Sequence, residues 1–135
     1  EDTNIAFPEN VRLMGYLKGK ELESFIKNAR LVVIPSRCYE GFPMAILEAA
    51  QFGKPCIGPD HGGFTEIIGK GESAIGRLFE PNNLNDLEKQ VLTLWNQPVL
   101  TEELGRKAYE KLRKEYSSEV VYRKWDELFT KILYG

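Results

Sequence analysis

Two glutamates, Glu40 and Glu48, stand with seven residues between them in the segment Pro35-Ser36-Arg37-Cys38-Tyr39-Glu40-Gly41-Phe42-Pro43-Met44-Ala45-Ile46-Leu47-Glu48. Just before it, Leu31-Val32-Val33-Ile34 is a short apolar run of the kind buried in a parallel sheet. Pro35 ends that strand, Gly41 allows a tight turn, and Pro43 suits the first position of a helix, where a missing N–H costs nothing. Glu40 then falls in a strand-to-helix turn and Glu48 on the second turn of the helix. Open α/β sheets bind ligands at the carboxyl ends of their strands. A helix starting near Pro43 leaves the N–H groups of Met44 and Ala45 free for an anion such as a phosphate. Gly41 and Pro43 present no bulky polar side chain, so a ligand can approach the backbone there. Glu48 lies roughly 7–8 Å further along the axis at about 1.5 Å per residue. A ribose joined to a diphosphate would reach it, because a carboxylate accepts well from two vicinal hydroxyls. Glu40, on the other side of the anion position, would face the opposite end of the ligand. The arrangement suits a nucleoside diphosphate sugar.

The elements that must hold these residues are legible around them. Residues 1–10 read as an irregular lead-in, 11–15 as a strand, and 20–29 as a helix with Leu22, Phe25, Ile26 and Ala29 on one face. After the strand 31–34 and the helix 43–52, Gly53 supplies a left-handed helix end. A strand at 56–58 follows, then a loop at 59–63, a short helix at 64–68, a turn at 69–72 and a weaker strand at 76–80. Asn83, with Asp86 three residues later, predicts a capped helix to about 96. Leu84, Leu87, Val91 and Trp95 line its expected buried face. Helices at 101–115 and 118–133 complete the chain, the last with Val121, Trp125, Leu128 and Ile132 in register. Strands alternating with helices predict an α/β fold, a Rossmann-like parallel sheet flanked by helices.

The bulk numbers exclude several classes. At 135 residues, 42% hydrophobic and 28% charged, the chain is one domain of ordinary globular composition. A net charge of −2 gives no footprint for nucleic acid. No apolar run approaches the roughly 20 residues that span a bilayer. Cys38 and Cys56 are too few for a metal cluster or redox pair and read as two reduced thiols.

The Glu40–Glu48 segment resembles the E-x7-E signature of retaining, nucleotide-sugar-dependent glycosyltransferases built from two Rossmann-like domains, the glycosyltransferase group 1 family. Four further blocks accompany it in order. Asn10-Val11-Arg12-Leu13-Met14-Gly15-Tyr16-Leu17 is similar to "NVxFLGxV", and Ala29-Arg30-Leu31-Val32-Val33-Ile34-Pro35-Ser36 to "ADLFVLPS". Gly53-Lys54-Pro55-Cys56-Ile57 is similar to "GTPVV". Gly62-Gly63-Phe64-Thr65-Glu66 is similar to "GGxPE", with Thr65 in place of the usual proline. The resemblance runs from about residue 10 to the C-terminus.

The resemblance implies roles that agree with the residue-level reading. Glu48 would bind the ribose hydroxyls, and Glu40 with the backbone of Gly41 and Phe42 the donor hexose. The Met44 and Ala45 N–H groups beside Pro43 would hold the diphosphate, and the backbone around Tyr16 would meet the nucleobase. The family pattern leaves open whether Glu40 is nucleophile, electrostatic stabiliser or sugar ligand. Sugar positioning with charge stabilisation is the favoured role, since a carboxylate near a developing oxocarbenium ion helps without forming a bond. His61, the only histidine, reads as a loop residue beside the cleft rather than a general base. Lys107, Lys111, Arg113 and Lys114 alternate with Glu102, Glu103, Glu110 and Glu115, which marks a solvated helix face.

On this reading residues 1–135 are a partial C-terminal donor-binding domain, expected to be inactive alone. The donor is the substrate, and neither cofactor nor metal is expected. Its first two strand–helix units, with a diphosphate-binding arginine and lysine, and the acceptor-binding N-terminal domain would lie outside the chain. In the strand order 3-2-1-4-5-6, 11–15 would be strand 3 and 31–34 strand 4. Either other residues fill the gap or 11–15 pairs with 31–34. The expected setting is the cytoplasm or the inner face of the membrane. Peripheral membrane contact of the full-length enzyme and self-association through exposed sheet edges are compatible with it. Two other readings stay open: a sugar-nucleotide epimerase or phosphorylase of the same architecture, and a non-catalytic nucleotide-binding Rossmann-like module.

Overall fold

The computed structural model describes residues 6–135; the start of the expected lead-in, residues 1–5, lies outside them. Three parallel strands form one sheet in the order β1 (Val32–Val33), β2 (Cys56–Pro59), β3 (Gly76–Phe79). Val32 pairs with Cys56, and Cys56 with Gly76. The Val32 and Ile34 N–H groups donate to the Pro55 and Ile57 carbonyls at 3.0 and 2.9 Å, so the β1 ladder extends past its two central residues. α1 (Gly19–Asn28) precedes β1, α2 (Met44–Ala50) joins β1 to β2, and α3 (Gly62–Ile68) with a 3₁₀ turn at Gly71–Ser73 joins β2 to β3. α4 (Leu84–Asn96), α5 (Pro98–Glu115) and α6 (Ser118–Tyr134) follow. This is the expected Rossmann-like α/β arrangement.

Side chains alternate across β2. Cys56 packs with Ile46, Ala49 and Ala50 of α2 and Phe64, Ile67 and Ile68 of α3, all buried. The next residue, Ile57, turns the other way onto Phe79, Leu94 and Leu104. Burial in the first of these clusters pushes the Cys56 thiol up to about 12, so it stays protonated as a small apolar group. Cys38 is exposed, and both cysteines are free.

Asn83 caps α4 as its spacing predicts: its side chain accepts from the Asp86 N–H at 3.0 Å. Gly53 takes a φ of +64°, the left-handed helix end expected there. α5 begins earlier than predicted because Pro98 occupies its first turn instead of breaking it.

Three expectations fail. Residues 11–15 form no strand and do not pair with β1; Leu13 and Met14 are exposed. Among the described residues β1 has a neighbour on one side only, and a segment without a ladder partner leaves its N–H and C=O groups to water. The buried face of α4 is rotated. Leu94 is fully buried, with Leu87 and Val91 against the same cluster, whereas Leu84 is 77% and Trp95 55% exposed. Instead the Arg30 guanidinium lies 4.8 Å from the Trp95 ring centre, a cation–π contact. The register residues of α6 (Val121, Trp125, Leu128 and Ile132) are all exposed, since no described element covers that stripe. Similarly, α1 carries its apolar face only half-buried, with Ile26 against the core and Phe25 exposed.

α5 is fastened to the α2–β2 turn by a backbone-to-backbone approach. A Cβ at Gly105 would collide with the Gly53 carbonyl oxygen and press on Pro55 Cδ. Gly105→Ala is therefore expected to destabilise the fold by about 1–3 kcal/mol, the usual range for overpacking. Denaturant unfolding measures this, and an unchanged midpoint would show that the helix can retreat freely.

Candidate donor-binding site

The turn from β1 to α2 carries the candidate residues. Its first fixture is Ser36, whose hydroxyl donates to Glu40 Oε1 at 2.8 Å and accepts from the Cys38 N–H at 3.3 Å. A serine bonding to the backbone two residues on folds the loop locally. The same hydroxyl thus shapes the loop and orients the half-buried carboxylate. Nothing in the spacing of the glutamates announces this role for Ser36.

The second fixture comes from α3. The Gly63 N–H donates to the Glu40 carbonyl at 2.8 Å. A Cβ at Gly63 would collide with the Gly41 carbonyl, and one at Gly62 would lie 2.7 Å from the Glu40 oxygen. Gly62 also has a φ of +53°, so it is a glycine position on both counts. The Gly-Gly pair, visible in the sequence as a motif, therefore holds the Glu40–Gly41 backbone in place. No heavy atom stands within 4 Å of where a Gly41 Cβ would project, so its outer side is open.

α2 begins one residue later than predicted. Pro43, buried, is its N-cap rather than its first residue, and the Ile46 N–H reaches the Pro43 carbonyl at 3.2 Å. Met44 and Ala45 remain the first two helical residues, whose N–H groups have no acceptor within the helix. Ile46, Ala49 and Ala50 face the core. Met44, 56% exposed, and Glu48 lie four residues apart on the solvent face, separated by about 6 Å of helix. The structure thus brings Glu40, Gly41, Phe42, Pro43, Met44, Ala45 and Glu48 onto one connection at the carboxyl end of β1. Tyr16 stands apart on the segment before α1 and is 91% exposed.

His61 is the N-cap residue of α3, just past β2, and its side chain makes no capping bond; among the described residues its buried Nδ1 has no hydrogen-bond partner. With Ser36, Arg37, Phe79 and Asn82 it lines a groove of about 230 Å³. Among the described residues no group of three or more His, Cys, Asp or Glu could hold a metal ion. No described helix is long and apolar enough to cross a membrane. Of the basic residues of α5, Lys107 pairs with Glu103 at 2.9 Å within the helix, whereas Lys111 reaches across to the Ile67 carbonyl of α3 at 2.8 Å.

Asp60, next to His61, braces α3 from the sheet. It accepts from Lys70 Nζ at 2.6 Å and from Thr65 Oγ1 at 2.8 Å, while its own N–H donates to the Phe79 carbonyl at 2.8 Å. The bonds from Lys70 and then Thr65 hold its carboxyl below the ordinary value of 3.8. A carboxyl depressed in the folded state stabilises fully above its unfolded value and loses that contribution as pH falls through the folded one. Asp60→Ala should therefore melt below wild type at pH 6, and the gap should close as pH falls below about 3.8. A gap independent of pH would show that the carboxylate's charge contributes nothing.

Comparison with known proteins gives this geometry a family. Residues 3–111 match the family described as glycosyl transferases group 1. The chain is 36% identical over 132 residues to the poly(ribitol-phosphate) alpha-N-acetylglucosaminyltransferase of Staphylococcus aureus, covering 96% of this chain and 25% of that protein. It is 35% identical over 115 residues to an uncharacterized glycosyltransferase of Methanocaldococcus jannaschii, covering 85% and 30%. The chain thus spans about a quarter to a third of the length of these relatives. Among solved structures, TarM of S. aureus superposes with a TM-score of 0.71 at 33% identity, over 85% of this chain and 22% of that one. Anabaena HepE, solved with UDP and glucose, gives a TM-score of 0.80 at 22% identity over 91% and 33%, a likeness of fold. With its match over most of its length, the chain belongs to the group 1 glycosyltransferase family.

Proposed function

We propose that this chain forms the donor side of a retaining glycosyltransferase that moves a hexose from a nucleoside diphosphate sugar to a glycan, lipid or small-molecule acceptor. The observation that carries the reading is the single β1-to-α2 connection. On it, an oriented Glu40 carboxylate, two helix N–H groups with no acceptor within the helix and an outward-facing Glu48 follow one another. A ligand with sugar, diphosphate and ribose in that order meets a hydroxyl acceptor, an anion acceptor and a second hydroxyl acceptor in the same order. HepE and TarM have each been solved with UDP, which supports a nucleotide donor.

In this reading Glu48 accepts from the ribose hydroxyls, and the Met44 and Ala45 N–H groups face the diphosphate. Glu40, held by Ser36, positions the hexose. As the bond to the leaving diphosphate lengthens, positive charge grows at the sugar, and a carboxylate fixed nearby stabilises it without reorganising. The backbone near Tyr16 meets the base. The chemistry requires no metal or other cofactor, since backbone donors and cations from elsewhere in the protein meet the diphosphate charge. Acceptor recognition belongs to residues outside this chain, and the reaction takes place on the cytoplasmic side.

Titration of the full-length protein with UDP-, GDP- and ADP-sugars tests the assignment. Glu48→Ala should weaken nucleotide binding by about 1.5–3 kcal/mol, the range for hydrogen bonds to a charged group. Glu40→Ala should bind free nucleotide nearly as before while turnover collapses. Unchanged nucleotide affinity in Glu48→Ala would remove the ribose role.

A further inference from the structure

We propose that Tyr39 and His61 form an aromatic clamp that positions Glu40 for turnover; the proposal rests on the donor-site reading above. Glu40 is anchored at its carbonyl by Gly63 and at its carboxylate by Ser36. The outer part of the loop, where Arg37 and Cys38 are exposed, is held only by the longer 3.3 Å bond from the Cys38 N–H to the Ser36 hydroxyl. Tyr39 is the residue that crosses this part. Although 80% exposed, its ring stacks on His61 at 5.5 Å between centroids and 17° between planes.

His61 is itself tied to the core. Its ring meets fully buried Phe64 edge-on, at 5.9 Å and 87°, and its backbone N–H donates to the Pro59 carbonyl at 2.9 Å. The buried Nδ1 has no partner, so among the described contacts aromatic faces and edges orient the imidazole. Gly62 completes the fit: a Cβ there would lie 3.2–3.3 Å from the Tyr39 ring. Contacts thus run from Phe64 through His61 to Tyr39, the residue bonded to Glu40. An exposed tyrosine ring adds little to folding, but a loop freed at this point lets the carboxylate stray. Misplacement of a reacting group by about 1 Å can cost two orders of magnitude in rate.

The test is steady-state kinetics and nucleotide titration on the full-length protein. Tyr39→Ala should lower kcat roughly ten- to hundredfold, with nucleotide affinity and the unfolding midpoint unchanged. Tyr39→Phe, which keeps the ring and drops the hydroxyl, should restore most of that turnover. His61→Ala should lower kcat in the same way from the other side of the stack. Wild-type kcat in Tyr39→Ala overturns the clamp. So does a Tyr39→Phe variant as slow as Tyr39→Ala, because the hydroxyl would then be the working group. Glu40→Ala separates the two readings. Full turnover in Glu40→Ala defeats the donor-site reading itself, whereas collapse there with Tyr39→Ala unaffected defeats only the clamp.

Discussion

The site depends on how closely the start of α3 approaches the β1-to-α2 turn. Two backbones meet there with no side chain between them, and the Gly63 N–H closes the contact on the Glu40 carbonyl. A loop at the end of a two-residue strand would otherwise have little to hold it. By borrowing a donor from the next crossover, the turn becomes part of the sheet's rigid frame. Ser36 can then orient the Glu40 carboxylate against a fixed backbone. α2 starts directly after, and its solvent face is set by the burial of Ile46, Ala49 and Ala50.

Much of this was legible in the sequence because local signals and tertiary packing agree. The apolar run 31–34, Gly53, Asn83 with Asp86, and the alternation of strands and helices each led to the element observed. Glu40 and Glu48 fall on the expected turn and helix, with Pro43 at the N-cap where that helix starts. What could not be read was contact across the sequence. The stack of Tyr39 on His61 and the Gly63 bond to the Glu40 carbonyl join residues whose proximity only the packed structure reveals, and the short-range bond from Ser36 to Glu40 depends on a loop shape that spacing alone does not specify.

Two of the misread elements share one physical cause. Among the described residues, 11–15 have strand composition but no ladder partner, and the α6 stripe of Val121, Trp125, Leu128 and Ile132 has helical periodicity but no surface against it. Periodicity reports which face could be buried, not whether another element stands opposite. For α4 the stripe was rotated by a fraction of a turn. Leu94 took the core position while Trp95 turned outward to Arg30.

The most direct measurement of the central claim is a structure of the full-length protein bound to its nucleoside diphosphate sugar. Ribose hydroxyls are expected on Glu48, the diphosphate at the Met44 and Ala45 N–H groups and the hexose beside Glu40. A donor seated elsewhere, with Glu48 left facing solvent, would contradict it.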